Sequence, residues 1–153
     1  MGLDDKDKKL LRKLQMDGRA SLTTLAKIVS LSIDSTNKRI KKLYENGTIG
    51  RFSVFIDPKK AGYDLVANVQ IKLQNVSEKE LNEFLSYLKE HPNVTSLLTT
   101  LGHFDFTCVI IAKNTQELEK TYLTIRHKFK DLIADWQSVI NLKCYKFEEY
   151  AFD

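Results

Sequence analysis

The chain has 153 residues, of which 42% are hydrophobic, 29% charged and 10% aromatic. That is enough for one domain or two small ones, and apolar enough to bury a core without disulfides, which excludes wholesale disorder. No apolar run approaches the roughly 20 residues of a membrane-spanning helix, and the charged opening has no secretory signal's apolar stretch, so a cytoplasmic protein without a membrane partner is expected.

Charge is distributed unevenly. Residues 1–63 hold 14 Lys+Arg against 7 Asp+Glu, net +7, and residues 64–153 hold 10 against 13, net −3. A basic half joined to a mildly acidic one suggests a polyanion-binding module attached to something else. Two cysteines, Cys108 and Cys144, are too few for a disulfide framework and point to a reducing compartment.

Leu3, Leu10, Leu11 and Leu14 recur at helical spacing and predict a helix from Asp4 to Asp17, with Asp4 as N-cap and Gly18 as the stop. Ser21 caps a second, short helix whose buried side is Leu22, Leu25, Ala26 and Val29; Ser30-Leu31 breaks it. Ser32 caps a third helix to about Asn46, with Thr36, Ile40, Leu43 and Tyr44 turned inward and Gly47 at its end. Its outward face is Asp34, Ser35, Asn37, Lys38, Arg39, Lys41 and Lys42.

From Ile49 to Ile56 the period changes to alternation, read as a strand or two-stranded wing that Asp57-Pro58 closes. Residues 58–64 read as a linker. The remainder reads as strand Leu65–Leu73, a helix from Ser77 to His91 and a strand Asn93–Thr100. A tight turn at Gly102-His103-Phe104-Asp105, a strand Phe106–Ala112, a helix Thr115 to Phe129 and a terminal strand Val139–Tyr150 follow. The order βαββαβ is the ferredoxin-like arrangement. The expected fold is therefore α+β, with a winged helix-turn-helix domain at 1–57 and a ferredoxin-like domain at 65–153.

Two short helices joined tightly, the second basic, form a helix-turn-helix pattern. Bases are read by bidentate Arg or Lys on guanine and by Asn on adenine, and Arg39 and Asn37 have that chemistry. Ser32, Ser35 and Lys42 suit phosphates, which position the helix without specifying sequence, and Ser21, Lys38 and Arg51 are further candidate DNA contacts. Asp34 suits a cytosine amine or the positive end of its own helix.

These residues carry a family resemblance. Leu3-Asp4-Asp5-Lys6-Asp7, Leu10-Leu11-Arg12-Lys13-Leu14-Gln15, Asp17-Gly18-Arg19-Ala20-Ser21, Leu25 to Ser32 and Lys38 to Phe52 resemble the opening of the leucine-responsive regulator/AsnC (feast/famine) family of transcription factors. The βαββαβ half resembles that family's regulatory domain. The resemblance implies a winged helix-turn-helix half and an effector-sensing, oligomerising half, in dimers or in octamers built from dimers. It also implies an amino acid bound between dimers near the turn that holds Gly102, His103 and Asp105. His103 replaces an acid expected there, and Ile33 stands where the family often has proline.

Other constellations are bland. His91, His103 and His127 lack metal-ligand spacing, no phosphate-cradling glycine loop occurs, and no nucleophile arrangement is apparent, so no metal, no cofactor and no enzyme activity are expected. Val69, Ile71 and Val109 offer apolar strand surface for a second subunit. The reading is a homo-oligomeric, sequence-specific regulator on a pseudo-palindromic duplex, modulated by an amino acid or other small effector. The alternative is a small-molecule-binding or catalytic ferredoxin-like protein with a basic protein-interaction module.

Overall fold

A computed structural model describes residues 2–152. These described residues hold five helices and four strands in the order α1 (Asp5–Met16), α2 (Leu22–Val29), α3 (Ile33–Glu45), β1 (Leu65–Leu73), α4 (Glu78–Glu90), β2 (Val94–Thr99), β3 (Phe106–Ala112), α5 (Thr115–Lys128) and β4 (Ile133–Ile140). They form two compact units. One holds residues up to Phe55 and those from Tyr145 onward; the other spans Ile56–Cys144.

In the first unit each helix begins on the residue whose side chain can accept an orphan backbone N–H. Asp4, Ser21 and Ser32 accept from Asp7, Thr24 and Ser35 respectively. Ser30 takes a left-handed conformation (φ 52°) at the end of α2, and the N–H of Leu31 donates to the carbonyl of Ala26 at 3.1 Å. This closes the tight turn into α3. Leu10, Leu25 and Val29 make the core, with Leu14, Ala20, Leu31 and Ile40 packed against it. Leu22 and Tyr44, expected inside, are exposed. Tyr44 instead stacks on Phe52, ring centroids 6.0 Å apart.

Among the described residues, Ile49 to Ile56 form neither a strand nor a wing. An alternating pattern supplies two side-chain faces, but a strand also needs a ladder partner. Here Asp57 starts a turn, its carboxylate accepting the N–H of Lys59 at 2.9 Å, and no return strand follows. The chain from Tyr145 onward contributes to this unit as well. The Gln15 amide donates to the Tyr150 carbonyl at 2.8 Å and accepts its N–H at 3.1 Å, while Phe147 packs against Phe55.

The second unit has the ferredoxin-like strand order β2-β3-β1-β4, all neighbours antiparallel. Alternation along β1 puts Ala67, Val69, Ile71 and Leu73 on the side that α4 and α5 cover, together with Phe106, Cys108, Ile110 and Ala112 of β3. Phe84 of α4 is fully buried and meets Phe106 and Phe129 edge-on at 5.8 and 5.1 Å. Val69 and Ile71 are therefore covered by the chain's own helices and are not spare surface. Of the three residues expected to face another subunit, Val109 alone lies on the opposite side, where Val66, Ile111, Leu98 and Val139 accompany it.

The last strand also departs from expectation. It runs Ile133–Ile140 rather than Val139–Tyr150. Phe129 to Leu132 turn so tightly that β4 begins at once, and Asp135, Gln137 and Ser138 dilute the apolar alternation that would have revealed it. No helix among the described residues is long and apolar enough to cross a membrane.

Candidate functional site

Helix α3 sits in the first unit with one side anchored and one side bare. Its inner stripe is held by Leu43 and by Thr36, which is fully buried and donates its hydroxyl to the Ser32 carbonyl at 2.9 Å. Burying that hydroxyl against a carbonyl satisfies it without a water, which suits a threonine where the sequence pattern asks for an apolar residue. Its N-terminus is closed by Ser32, whose Oγ accepts the Ser35 N–H at 3.1 Å and donates to Ser35 Oγ at 2.9 Å.

The expected contact residues divide into three groups. Asn37 and Lys42 are exposed and make no side-chain hydrogen bond or ion pair among the described residues. Asp34 and Lys38 are exposed but paired one turn apart at 2.8 Å. An ion pair this open is worth at most about 1 kcal/mol and yields readily to a stronger partner. Ser21, Ser32 and Ser35 are exposed at helix N-termini, where the helix dipole favours an anion. Arg51 is exposed on the extended stretch after α3.

Arg39 departs from the expected free outer face. Its Nη1 donates to Asp4 Oδ2 at 2.6 Å and to Asp7 Oδ1 at 2.8 Å, and only 32% of its side chain is exposed. The same two acids make the capping box of α1: the Asp7 N–H donates to Asp4 Oδ1 at 2.8 Å and the Asp4 N–H to Asp7 Oδ2 at 3.4 Å. The backbone N–H of Asp7, then the Arg39 guanidinium, hold the Asp4 carboxyl below its usual range, and Asp4 and Asp7 raise Arg39. The sequence disclosed the box but not its third member, because Arg39 lies 32 residues beyond Asp7 and nothing local marks the pairing.

The second expected site is the turn between β2 and β3. Gly102 and His103 are exposed, and the His103 ring stands edge-on to Phe104 at 4.9 Å. Asp105 is half-buried and committed to the fold. One carboxylate oxygen accepts the backbone N–H of Leu73 at 2.8 Å, and the other accepts from Lys72 Nζ at 3.1 Å. Its own N–H donates to the Ile71 carbonyl at 3.0 Å, and its carbonyl accepts from Thr100 at 2.8 Å. The Leu73 N–H, and next the Lys72 ammonium, hold the Asp105 carboxyl below its usual range. Sequence reasoning missed Lys72 and Leu73 because their acceptor is visible only once β1 and β3 are paired.

No group of three or more His, Cys, Asp or Glu side chains able to hold a metal ion occurs among the described residues. Burial under the helices pushes the Cys108 thiol up to about 12, so it is an inert core residue.

A recognition-type helix packed on a short partner, in a chain that also carries a separate βαββαβ unit, defines a class: helix-turn-helix regulators with a ligand-binding domain. Comparison with known proteins agrees in both halves. Residues 3–44 match the AsnC-type helix-turn-helix domain and residues 66–149 the Lrp/AsnC ligand binding domain. The chain belongs to the Lrp/AsnC family of transcriptional regulators.

Among its relatives is the HTH-type transcriptional regulator FL11 of Pyrococcus horikoshii, 36% identical over 132 residues, covering 86% of this chain and 80% of that one. The transcriptional regulator AzlB of Bacillus subtilis is 33% identical over 114 residues, covering 74% and 73%. Among solved structures, an AsnC family transcriptional regulator from Agrobacterium tumefaciens superposes with a TM-score of 0.86 at 27% identity, covering 97% of each chain. A Neisseria meningitidis transcriptional regulator solved as a complex with L-Met shares the fold, with a TM-score of 0.85 at 23% identity over 95% of this chain and 94% of that one.

Proposed function

We propose that this chain regulates transcription by inserting the exposed face of α3 into the major groove of a specific duplex, as a homo-oligomer whose ferredoxin-like half responds to a small effector. The observation that supports this most is the division of α3 into an anchored inner stripe and an outer face whose Asn37 and Lys42 are unengaged among the described residues. Asn37 reads adenine; Lys42, Lys38 and Arg51, with the capped N-termini at Ser21, Ser32 and Ser35, take phosphates. Asp34 releases Lys38 on contact and accepts from a cytosine amine. Arg39 belongs to this interface through the helix it holds.

The effector is an amino acid or a close relative, received beside Gly102 and His103, with Asp105 shaping the turn from below. This rests on the match of residues 66–149 to a ligand-binding domain and on the L-Met held by the Neisseria protein of the same fold. The uncovered sheet face of Val66, Val109 and Ile111 pairs with a second subunit, so that two α3 helices meet a pseudo-palindrome about one helical turn apart, ~34 Å. The protein works in the cytoplasm and has no catalytic role.

Selection of duplexes from a random pool by the purified chain, with affinity then followed against salt, tests this reading. A regulator yields a symmetric consensus and an affinity that falls steeply with salt through counterion release. Recovery of a random pool would contradict it. Calorimetry with each of the twenty amino acids tests the effector, and silence throughout would leave assembly as the role of the second unit.

A further inference from the structure

The four carboxylate oxygens of Asp4 and Asp7 are all in use. Two accept the backbone N–H groups of the capping box, and the other two accept the Arg39 guanidinium. Asp7 is the most enclosed of the three, its side chain 17% exposed. The arrangement therefore ties the middle of α3 to the first turn of α1, one helical turn from both Thr36 and Leu43 and on the same flank of the helix. A guanidinium facing two carboxylates carries no surplus positive charge toward a phosphate, and the Nη1 that donates to both has no N–H left for a base. We infer that Arg39 is a positioning residue for the DNA-binding helix, clamped by Asp4 and Asp7, and not a reader of bases. This rests on the reading that α3 enters a duplex.

The sign of one experiment separates the clamp from general electrostatics. Neutralising two acids in the basic half should by charge alone tighten binding to a polyanion. The clamp demands the opposite, because α3 loses its orientation. Asparagine also caps a helix as well as aspartate does, so Asp4→Asn spares the cap while removing the charge that Arg39 needs.

The full-length double variant Asp4→Asn/Asp7→Asn, Arg39→Gln, their combination and Arg39→Lys are compared on the duplex that the wild-type chain selects from a random pool. Far-UV dichroism confirms that each is folded. The double variant and Arg39→Gln should each weaken binding roughly three- to tenfold, as expected for loss of a partly exposed charge-assisted contact. The combination should be no worse than either, and Arg39→Lys should recover part of the loss. Reselection with Arg39→Gln should return an unchanged consensus, and the salt slope should stay the same because no phosphate contact has gone.

Binding by the double variant that is equal or tighter, a base position relaxed by Arg39→Gln, or a slope reduced by about one contact would each overturn the clamp. If the wild-type chain selects nothing, the DNA reading itself has failed. The clamp is then judged without DNA by the thermal midpoints of the same variants: non-additive losses support it, and additive ones overturn it.

Discussion

The carboxylate of Asp105 accepts the backbone N–H of Leu73 at 2.8 Å, where β1 shifts register against β4 between Lys72 and Leu73. A side chain on the β2–β3 turn thus completes the hydrogen bonding of the neighbouring strand. It fixes the turn carrying Gly102 and His103 to the end of β1. Asp105→Ala should lower stability by about 1–2 kcal/mol, a charge-assisted bond discounted for partial exposure, and Asp105→Asn by less.

The same contact has a pH signature. The folded Asp105 carboxyl titrates below its ordinary value, so its contribution is complete above the unfolded value of about 4 and is lost as pH falls through the folded one. Urea midpoints of wild type and Asp105→Asn should converge on acidification from pH 5 downward. A gap that stays constant would show that the charge is not the stabilising feature.

The two cysteines should differ sharply in reactivity. Cys108 is buried with its thiol pushed up to about 12, whereas Cys144 is exposed. A maleimide at neutral pH should modify one thiol per folded chain, at Cys144, and both in denaturant. Labelling of Cys108 at native conditions would mean that the sheet–helix core opens far more readily than its packing allows.

The core of the first unit is small, so single truncations there are expensive. Leu10 is fully buried against Leu25 and Val29, and Leu10→Ala should cost about 2–5 kcal/mol. DNA binding and the share of the helical dichroism that α1, α2 and α3 supply should be lost together. Trp136, which packs against Tyr122 in the other unit, should keep its native fluorescence.

Assembly is tested on the bare face of the sheet. Val109 lies on the side that α4 and α5 leave uncovered, and a charge placed there does not enter the monomer's core. Val109→Lys should lower the mass seen by light scattering to that of one chain, with the thermal midpoint of the monomer little changed. An unaltered oligomer would place the subunit contact elsewhere.

Much of this architecture was legible because its causes are local. Asp4, Ser21, Ser32 and Ser77 mark helix starts by supplying acceptors for orphan N–H groups, and β1 and β3 show themselves by apolar residues at every second position. What failed depends on partners distant in sequence. Residues 49–56 have a strand's composition but no ladder partner among the described residues. β4 was hidden because Asp135, Gln137 and Ser138 interrupt its alternation. Val69 and Ile71 read as spare surface until the helices that cover them are placed. Arg39 is the instructive case: its chemistry fits guanine as well as it fits two aspartates, and its pairing with Asp4 and Asp7 appears only once α1 and α3 are packed together.

The central claim is that the outer face of α3 lies in a duplex groove, and reselection with Asn37→Ala tests it most directly. Asn37 is exposed on that face, and it buries nothing whose loss would unfold the chain. The account predicts that the wild-type chain returns a symmetric consensus and that Asn37→Ala returns the same consensus with one position blurred in each half-site, at a cost of about 1–3 kcal/mol in affinity. An identical consensus bound with undiminished affinity would contradict it.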